Sequence, residues 1–519
     1  MGVSATAVRL VRNTLANGVG GLAGILLGLV LTPLMIHRLG LETYGVWALA
    51  LTLTFAGGYA SLSELGLEGA TLRYVAEASA DGDLDGLNRV VCTSLAVLCA
   101  IAIVLALAAV ALAHPLVMLF GVPASLRGAA TACFVIVGAQ LVFELPARAL
   151  VAVLEGTQNF VVFQSVELAR GLAQAALYVL VLLAGWGIVG MAVVLAASSL
   201  TTLLAYWVFA HRAVAGLRAN PLAASRIEIS RLVRFGGGLF SLRVLSTIYN
   251  QMDTAIIGIA LGTRPVALYE IANKISLGAA TVASVSVSAL TPAAAALRNE
   301  AALVRDMFVR GTCYATAAAL PFALAILIFA KPLLLTWIGP RALPAAGAVR
   351  LFASYEAMQM VNNVGSTMIY GIGRIRFPLI VTAVVTLLNL GLSITLVRPL
   401  GFEGVIVGTL LANGLAWPVM VWYYLRAFDC SLQVWLRRVV APNLPGIAVQ
   451  VGLSLALYTI VGQHTRSFAV VIVLLAVSVG ASLATFVLIG MPGVERRVFL
   501  DTVLRAVGLR ASADAGLPG

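Results

Sequence analysis

Residues 90–112 read VVCTSLAVLCAIAIVLALAAVAL and contain no charged side chain. A helix needs about 20 predominantly apolar residues to cross the hydrocarbon core of a bilayer, so this stretch alone predicts a membrane span. The same character extends over the whole chain of 519 residues, of which 61% are hydrophobic and 10% charged. A soluble globular chain carries about 25% charged residues. The sequence therefore predicts an all-α polytopic membrane protein.

Apolar runs bounded by glycine, proline or charged residues predict 14 membrane spans. Their ranges are 15–36, 44–67, 90–112, 129–154, 161–184, 187–210, 235–261, 267–291, 312–334, 351–370, 379–397, 404–425, 444–461 and 468–489. Because this number is even, we expect both termini on the same side of the membrane.

The basic residues predict which side that is. Of the 33 Lys and Arg residues, 21 fall in loops on the side of the termini and 8 in loops on the opposite side. Cytoplasmic loops carry an excess of Lys and Arg, so the termini are expected in the cytoplasm. The net charge of +12 is scattered over these loops, which argues against a nucleic-acid partner. The five cysteines show no disulfide or zinc spacing, and no metal is expected.

Two parts of the chain repeat four short signals in the same order. The intervals between the first four markers are 32, 112 and 31 residues, and those between the second four are 35, 102 and 30. The markers are Arg12, Tyr44, Gly156 and Gly187, and then Arg234, Tyr269, Gly371 and Gly401. We predict two pseudo-symmetric six-helix bundles in parallel, and such repeats typically form transporters with the substrate site at their interface. The predicted divisions are an N-terminal lobe (1–220), a C-terminal lobe (221–430), spans 13 and 14 (431–490) and a cytoplasmic tail (491–519).

Ionisable side chains inside the spans are the first candidates for function. Each costs about 2.5–3.5 kcal/mol at the centre of a helix, so most are expected to face a hydrated interior or one another. They are Glu64, Glu144, Arg148, Glu167, Arg170, Arg243, Asp253, Glu270, Lys274 and Glu356. Asn250, Gln251 and Asn363 continue the same polar helix faces and could bind sugar hydroxyls.

Three of the charged pairs have an alternative interpretation. Glu144 with Arg148, Glu167 with Arg170, and Glu270 with Lys274 are three or four residues apart, so each pair could be a structural ion pair within one helix. Asp253 and Arg243 have no such close partner and are better functional candidates. Glu64 and Glu356 lie near span ends, where water can reach them. Their charges are therefore tolerated there without a functional role, which makes them weaker candidates.

Six segments resemble the polysaccharide-export (Wzx-like oligosaccharide) flippases of the multidrug/oligosaccharidyl-lipid/polysaccharide (MOP) superfamily. The likeness extends from the N-terminus through span 12, and it is more generic in the second half. The segments are RNTLANG (12–18), LTPLMIHRLGLETYGVWAL (31–49), SELGLEGATLRYVAE (63–77), LEGTQNF (154–160), YNQMDTAIIG (249–258) and LYEIANKI (268–275).

The resemblance implies a transporter with alternating access that carries an undecaprenyl-diphosphate-linked oligosaccharide across a bacterial inner membrane. Arg243, Asp253 and Lys274 match charged positions of spans 7 and 8 in such families, while Glu64 and Arg73 match the end of span 2 and its loop. The implied partners are the lipid-linked glycan, membrane lipid and polysaccharide-assembly proteins. No cofactor is implied, and a proton or sodium gradient is the candidate driving force.

Two rival functions remain. A multidrug or cation antiporter of the same superfamily should have a cleft dominated by acidic residues, whereas Arg and Lys accompany the acids here. A membrane polysaccharide polymerase or sugar transferase commonly needs a sizeable outer loop or paired outer acids, and the predicted outer loops are short and poor in acids. The sequence therefore favours a flippase over an enzyme.

Overall fold

The computed structural model describes residues 27–54, 61, 66–287, 290–297, 299–497 and 501; within these ranges the side chains of 238, 239, 241–243, 245, 246, 248, 250, 279, 282–286, 292 and 361 are not described. Every regular element in the described residues is helical. The helices are α1 (Leu27–Leu39), α2 (Leu41–Leu51), α3 (Leu67–Asp81), α4 (Leu84–Leu119), α5 (Arg127–Ala139), α6 (Leu141–Gly156), α7 (Phe160–Leu183), α8 (Gly187–Ala213), α9 (Arg226–Leu261), α10 (Thr263–Val287), α11 (Leu290–Ala296), α12 (Ala301–Trp337), α13 (Ala346–Gly371), α14 (Arg376–Leu400), α15 (Phe402–Ala427), α16 (Leu432–Trp435), α17 (Ala441–Leu457) and α18 (Phe468–Thr485).

These helices confirm the predicted all-α membrane class. Each of the 14 predicted spans overlaps a described helix, and nine described segments are long and apolar enough to cross a membrane. Three further helices of 25 to 36 residues, α9, α10 and α13, are not among the nine. These three correspond to predicted spans 7, 8 and 10, which carry the polar faces expected from the sequence.

The turns between helices support the predicted internal repeat at the level of the backbone. Five residues of the first half that have positive φ are matched by positive-φ residues in the second half, in the same order along the helices. The pairs are Gly40 and Gly262 (80° and 86°), Gly121 and Gly339 (59° and 107°), Gln158 and Gly373 (63° and 80°), Gly187 and Gly401 (62° and 66°), and Gly216 and Asp429 (86° and 48°).

The first of these pairs shows why glycine is needed. Gly40 has ψ 166° and Gly262 has ψ −170°, a region of backbone space that is open essentially to glycine alone. Both follow a leucine that ends a helix, and both are followed at once by the next helix. The same sharp helix-to-helix turn is therefore encoded by Leu-Gly in each half.

The described chain packs as two compact units that are discontinuous in sequence. The first unit comprises Met1–Leu277, Ile338–Ala348 and Thr382–Asn413, and the second comprises Gly278–Trp337, Val349–Val381 and Gly414–Gly519. The sequence-based divisions at 220 and 430 follow the repeat rather than the packing, and they stay a prediction.

The first unit is built around α4, α6 and α8. Its core contains fully buried side chains such as Leu98, Leu145, Leu150 and Tyr206. In the second unit α12, α17 and α18 pack together. Asn443 and Gln450 of α17 donate to the backbone carbonyls of Cys313 and Pro321 in α12 (3.3 and 2.6 Å), so polar side chains join these helices inside an apolar core.

Gly45 lies where α2 meets the first residue of α10. A Cβ atom at this position would collide with the backbone carbonyl of Thr263, which cannot rotate away as a side chain could. We expect Gly45→Ala to lower the stability of the protein by about 1–3 kcal/mol, the usual cost of overpacking. The check is the apparent Tm of the purified protein in detergent, with Gly171→Ala as the control, because a Cβ at Gly171 meets nothing within 4 Å. Equal Tm values for the two variants would contradict the close approach of α2 and α10.

Candidate functional site

Asp253 of α9 is buried among oxygen atoms from three other helices of the first unit. Only 7% of its surface is exposed. The hydroxyl of Tyr269 in α10 donates to Asp253 Oδ2 (3.1 Å), and the Thr409 side chain of α15 lies near the same carboxylate. A carboxylate in this position is therefore held by neutral groups rather than by a neighbouring cation.

Helices α14 and α15 extend this set of oxygens. The Thr409 hydroxyl lies 3.1 Å from Asn389 Oδ1, and the Ser393 hydroxyl lies 3.2 Å from the same oxygen and 3.5 Å from the backbone oxygen of Val405. Asn389, Ser393 and Thr409 are all less than 9% exposed. We call Asp253, Tyr269, Asn389, Ser393 and Thr409 the Asp253 centre.

The Asp253 centre has the composition of a site for a small hard cation. It offers a carboxylate, an amide oxygen, hydroxyls and a backbone carbonyl, which are oxygen ligands that suit hard cations, and the carboxylate can also take a proton. Among the described residues no group of three or more His, Cys, Asp or Glu side chains could hold a metal ion. The oxygens of the Asp253 centre are the ligand types that a small hard cation would use.

Glu270 and Lys274, one turn apart on α10, lie beside this centre. Glu270 Oε1 accepts a hydrogen bond from Thr254 (2.8 Å). Lys274 Nζ donates to Thr32 of α1 (3.1 Å) and lies 5.4 Å from the centre of the Tyr44 ring in α2. The lysine therefore reaches away from its own helix and joins α10 to α1 and α2.

A second polar cluster lies within α6, α7 and α8. Arg170 Nη2 is 2.8 Å from Glu167 Oε2, and Tyr206 donates to Glu167 Oε1 (2.6 Å). Arg148 lies 3.9 Å from Glu144, and Gln140 donates to that glutamate (2.9 Å). The two pairs also interact electrostatically with each other. We call these residues the α6–α8 charge network.

The three predicted charge pairs have different outcomes. Glu144 with Arg148 and Glu167 with Arg170 form the ion pairs that the structural interpretation expects. Glu270 and Lys274 do not: in the part of the chain that the structure describes, no carboxylate oxygen lies within 4.0 Å of Lys274 Nζ. The spacing of the third pair allowed an ion pair. Instead, Glu270 accepts a hydrogen bond from Thr254, and Lys274 donates one to Thr32.

Arg73 lies apart from these clusters, in α3. It pairs with Glu77 (2.9 Å) and its guanidinium lies 4.6 Å from the centre of the Phe235 ring in α9. Arg231 of α9 also approaches Glu77 (3.5 Å), so two exposed arginines share one carboxylate. Their side chains are about half exposed (51% and 47%), so both are accessible at the surface of the first unit.

The structure describes only some of the remaining predicted residues. Glu64 and the side chains of Arg243 and Asn250 lie outside the described residues, and Gln251 is half-buried in α9. Glu356 and Asn363 are half-buried in α13 of the second unit, where a neighbouring network joins Tyr355, Gln359, Asn362 and Tyr424. No ligand-binding role of Glu356 or Asn363 follows from these contacts.

Sequence reasoning missed Asn389, Ser393 and Thr409 because it searched for ionisable residues. A signal was present: Asn389 and Ser393 are four residues apart in an otherwise apolar helix, and Thr409 and Asn413 repeat that spacing in the next helix. Asn413 in turn donates to the Tyr249 hydroxyl on α9 (3.1 Å). Short polar faces on two consecutive spans indicate a shared polar partner, which here is α9.

Comparisons with known proteins agree with this geometry. The sequence model of the family described as "Polysaccharide biosynthesis protein" matches residues 38–346. A comparison with curated protein sequences finds no match. Among solved structures, one described as "Lipid II flippase MurJ, inward closed conformation" is similar over 96% of this chain and 100% of that chain, with 12% identity and a TM-score of 0.69.

Other similar structures are transporters of the MOP superfamily. An inward-facing multidrug resistance MATE family transporter has 18% identity and a TM-score of 0.59, over 80% of this chain and 94% of its own. A MOP superfamily transporter from Pyrococcus furiosus, described as having a binding pocket of reverse polarity, has 18% identity and a TM-score of 0.54, over 80% and 96%. At these identities the likeness is one of fold, and the chain has the MOP-superfamily transporter fold predicted from its sequence.

Proposed function

This chain belongs to the polysaccharide biosynthesis protein family, and on that premise we propose that it is a flippase for an undecaprenyl-diphosphate-linked oligosaccharide, acting in the synthesis of surface or exported polysaccharide. The multi-pass membrane fold and the structural likeness to a flippase and to drug transporters support transport rather than catalysis. The excess of basic residues on one set of loops supports placement in the inner membrane with both termini in the cytoplasm.

The surroundings of Lys274 are the main support for an anionic cargo. Its ammonium group is held by a hydroxyl and an aromatic ring, and no described carboxylate lies within 4.0 Å of it. Glu270 acts on this lysine only at longer range, so a diphosphate would give the ammonium group a direct anionic partner. An antiporter of cationic drugs would instead gain from acids at this position.

Side-chain amide groups would bind the glycan. Asn250, Gln251 and Asn363 remain proposed partners for sugar hydroxyls, and Arg243 and Arg73 remain proposed contacts for the diphosphate. Polysaccharide-assembly proteins are the proposed partners, since such proteins supply and consume lipid-linked glycans.

A cation that binds at the Asp253 centre is the proposed driving ion. The ion would be a co-transported substrate, and either Na⁺ or a proton suits a buried carboxylate surrounded by neutral oxygens. The Asp253 centre includes residues of α9, α10, α14 and α15, so ion binding would change how these four helices are held together. Such a change is what an ion must produce if it is to drive a conformational cycle.

The alternative function is that of a multidrug or cation antiporter. Two acids inside the helices, the buried Asp253 and the half-buried Glu270, and the likeness to MATE transporters favour it. A membrane polymerase or sugar transferase is the weaker alternative.

Reconstitution of the purified protein into liposomes separates these functions. We expect protein-dependent movement of an undecaprenyl-diphosphate-linked oligosaccharide, scored by its accessibility to a reagent outside the vesicle, and no protein-dependent movement of a cationic dye. Lys274→Ala should reduce the rate about tenfold or more, because a charge-assisted contact to the diphosphate is lost, and Lys274→Arg should retain much of it.

The opposite pattern would support the antiporter. Dye movement driven by an ion gradient, together with an immobile lipid-linked oligosaccharide, would contradict the proposed cargo. The same variants would then show whether the lysine matters to dye transport.

A further inference from the structure

A cavity of about 450 Å³ lies in the second unit, among the first turns of α12, the segment from α16 to α17 and the end of α18. Its charged lining residues are Asp306, Arg310, Arg437, Arg438 and Glu495. A neighbouring cavity of about 380 Å³ shares Asp306, Val309 and Arg438 and adds the charged residues Arg305 and Asp429. We call the two cavities together the basic basin.

The arginines of the basic basin differ in whether a carboxylate pairs with them. Arg310 is neutralised by Asp306 (2.7 Å) and by Glu495 (2.5 Å). Arg437 and Arg438 are exposed, and no carboxylate of the described residues lies within 4.0 Å of either guanidinium. Two adjacent guanidinium groups at a concave surface can each make paired hydrogen bonds to a phosphate group.

The backbone that presents these arginines is unusual. Arg437 and Arg438 belong to a π-helical segment (Leu436–Val440), and a second π-helical segment (Phe486–Gly490) ends in the same cavity. The second segment touches the start of α17, directly after the first, because a Cβ at Gly490 would collide with the backbone oxygen of Pro442. Single-turn π segments are rare and frequently mark functional sites.

Exposed apolar side chains flank the lining residues of the basic basin along the chain. Leu436 precedes Arg437, Leu444 follows Pro442, and Leu488 and Ile489 precede Gly490; these four side chains, which we call the apolar rim, are 45–67% exposed. In a chain whose helices span a membrane, such side chains contact acyl chains. An anion that is attached to hydrocarbon therefore matches this surface better than an anion dissolved in water.

We propose that the basic basin binds the phosphate headgroup of an anionic membrane phospholipid, with Arg437 and Arg438 on the phosphate and the acyl chains along the apolar rim. The loops that carry this site are on the predicted cytoplasmic side, where basic pockets between membrane helices bind anionic headgroups. The lipid is a bound neighbour and not the cargo, so the proposal stands or falls independently of the proposed flippase activity.

Binding of phosphatidylglycerol to the full-length protein in detergent tests the proposal. Lipid-bound species are counted by native mass spectrometry during a titration, for the wild type and for the double variant Arg437→Ala/Arg438→Ala. We expect the double variant to bind about tenfold more weakly, because the charge-assisted hydrogen bonds to the phosphate are lost. Arg437→Lys/Arg438→Lys keeps the charges and should lose less.

The control is Arg374→Ala/Arg376→Ala, which removes the same charge from an exposed turn of the second unit outside the basin. It should change binding less than twofold, roughly the scatter of a titration. Equal losses in the two alanine variants would show general surface attraction and overturn the site. Binding of inorganic phosphate at the same concentrations as the lipid would show that the basin takes a free anion, and would also overturn the proposal.

Discussion

Asp253→Asn should strongly slow ion-driven movement of the lipid-linked oligosaccharide while the protein remains folded in the membrane. The substitution keeps the size of the side chain and can still accept the hydrogen bond from Tyr269, but it removes the only carboxylate of the Asp253 centre. Losing the charge that holds a cation is worth about 1.5–3 kcal/mol, so we expect the rate to fall about tenfold to a hundredfold. The measurement is the rate in liposomes with and without an imposed ion gradient.

Asp85→Asn is the matched control, because it makes the same chemical change at an exposed position in the first turn of α4. It should leave the rate within about twofold, as exposed charges contribute little. If Asp253→Asn transports at the wild-type rate under the same gradient, the Asp253 centre is not where the driving ion binds.

The neutral oxygens of the same centre give a graded version of this experiment. Thr409→Val removes one oxygen and preserves the shape of the side chain, so transport should continue but require a higher concentration of the ion. Thr409→Ser should behave like the wild type. A shift of the half-maximal sodium concentration at constant pH identifies sodium as the ion, and a shift of the pH profile without sodium dependence identifies the proton.

The fold was predictable because its signals are long and repeated. Each of the fourteen apolar runs overlaps a described helix. The same Leu-Gly pair occurs at Gly40 and at Gly262, and both glycines form the same turn in the structure. The packing was less predictable, because residues from α10, α14 and α15 join the first unit although they belong to the predicted C-terminal lobe (221–430) in sequence. The order of signals in the sequence predicts a repeat, whereas the packing depends on which helix surfaces are complementary.

The candidate site was predictable only for its charged members. Asp253, Glu270 and Lys274 were recognised because a charge in an apolar run is conspicuous and costly. Asn389, Ser393 and Thr409 were missed because such residues satisfy their hydrogen bonds inside a helix at little cost, and many of them in other spans do only that. The spacing of Glu270 and Lys274 also could not show that each prefers a hydroxyl on another helix, since that choice depends on the neighbours that packing supplies.

Glu167→Gln should destabilise the protein without impairing transport by the molecules that remain folded. The substitution leaves the Arg170 guanidinium partly buried beside a neutral amide and weakens the hydrogen bond from Tyr206. Breaking one side of a buried ion pair typically costs about 3–5 kcal/mol, and this pair is about one quarter exposed, so we expect about 3 kcal/mol. The apparent Tm of the purified protein at a fixed scan rate measures the loss, and Tyr206→Phe should cost only about 1 kcal/mol.

The double variant Glu167→Gln/Arg170→Met tests directly whether the ion pair has only a structural role. If the pair serves only to satisfy two charges inside α7, removing both should restore most of the stability lost by Glu167→Gln, because a matched apolar replacement of an ion pair is often neutral. Transport per folded molecule should stay near the wild-type value in both variants. A single variant that keeps its Tm but loses transport would instead place the α6–α8 charge network in the path of the cargo, since a charge that is dispensable for folding and needed for movement must act on something that moves.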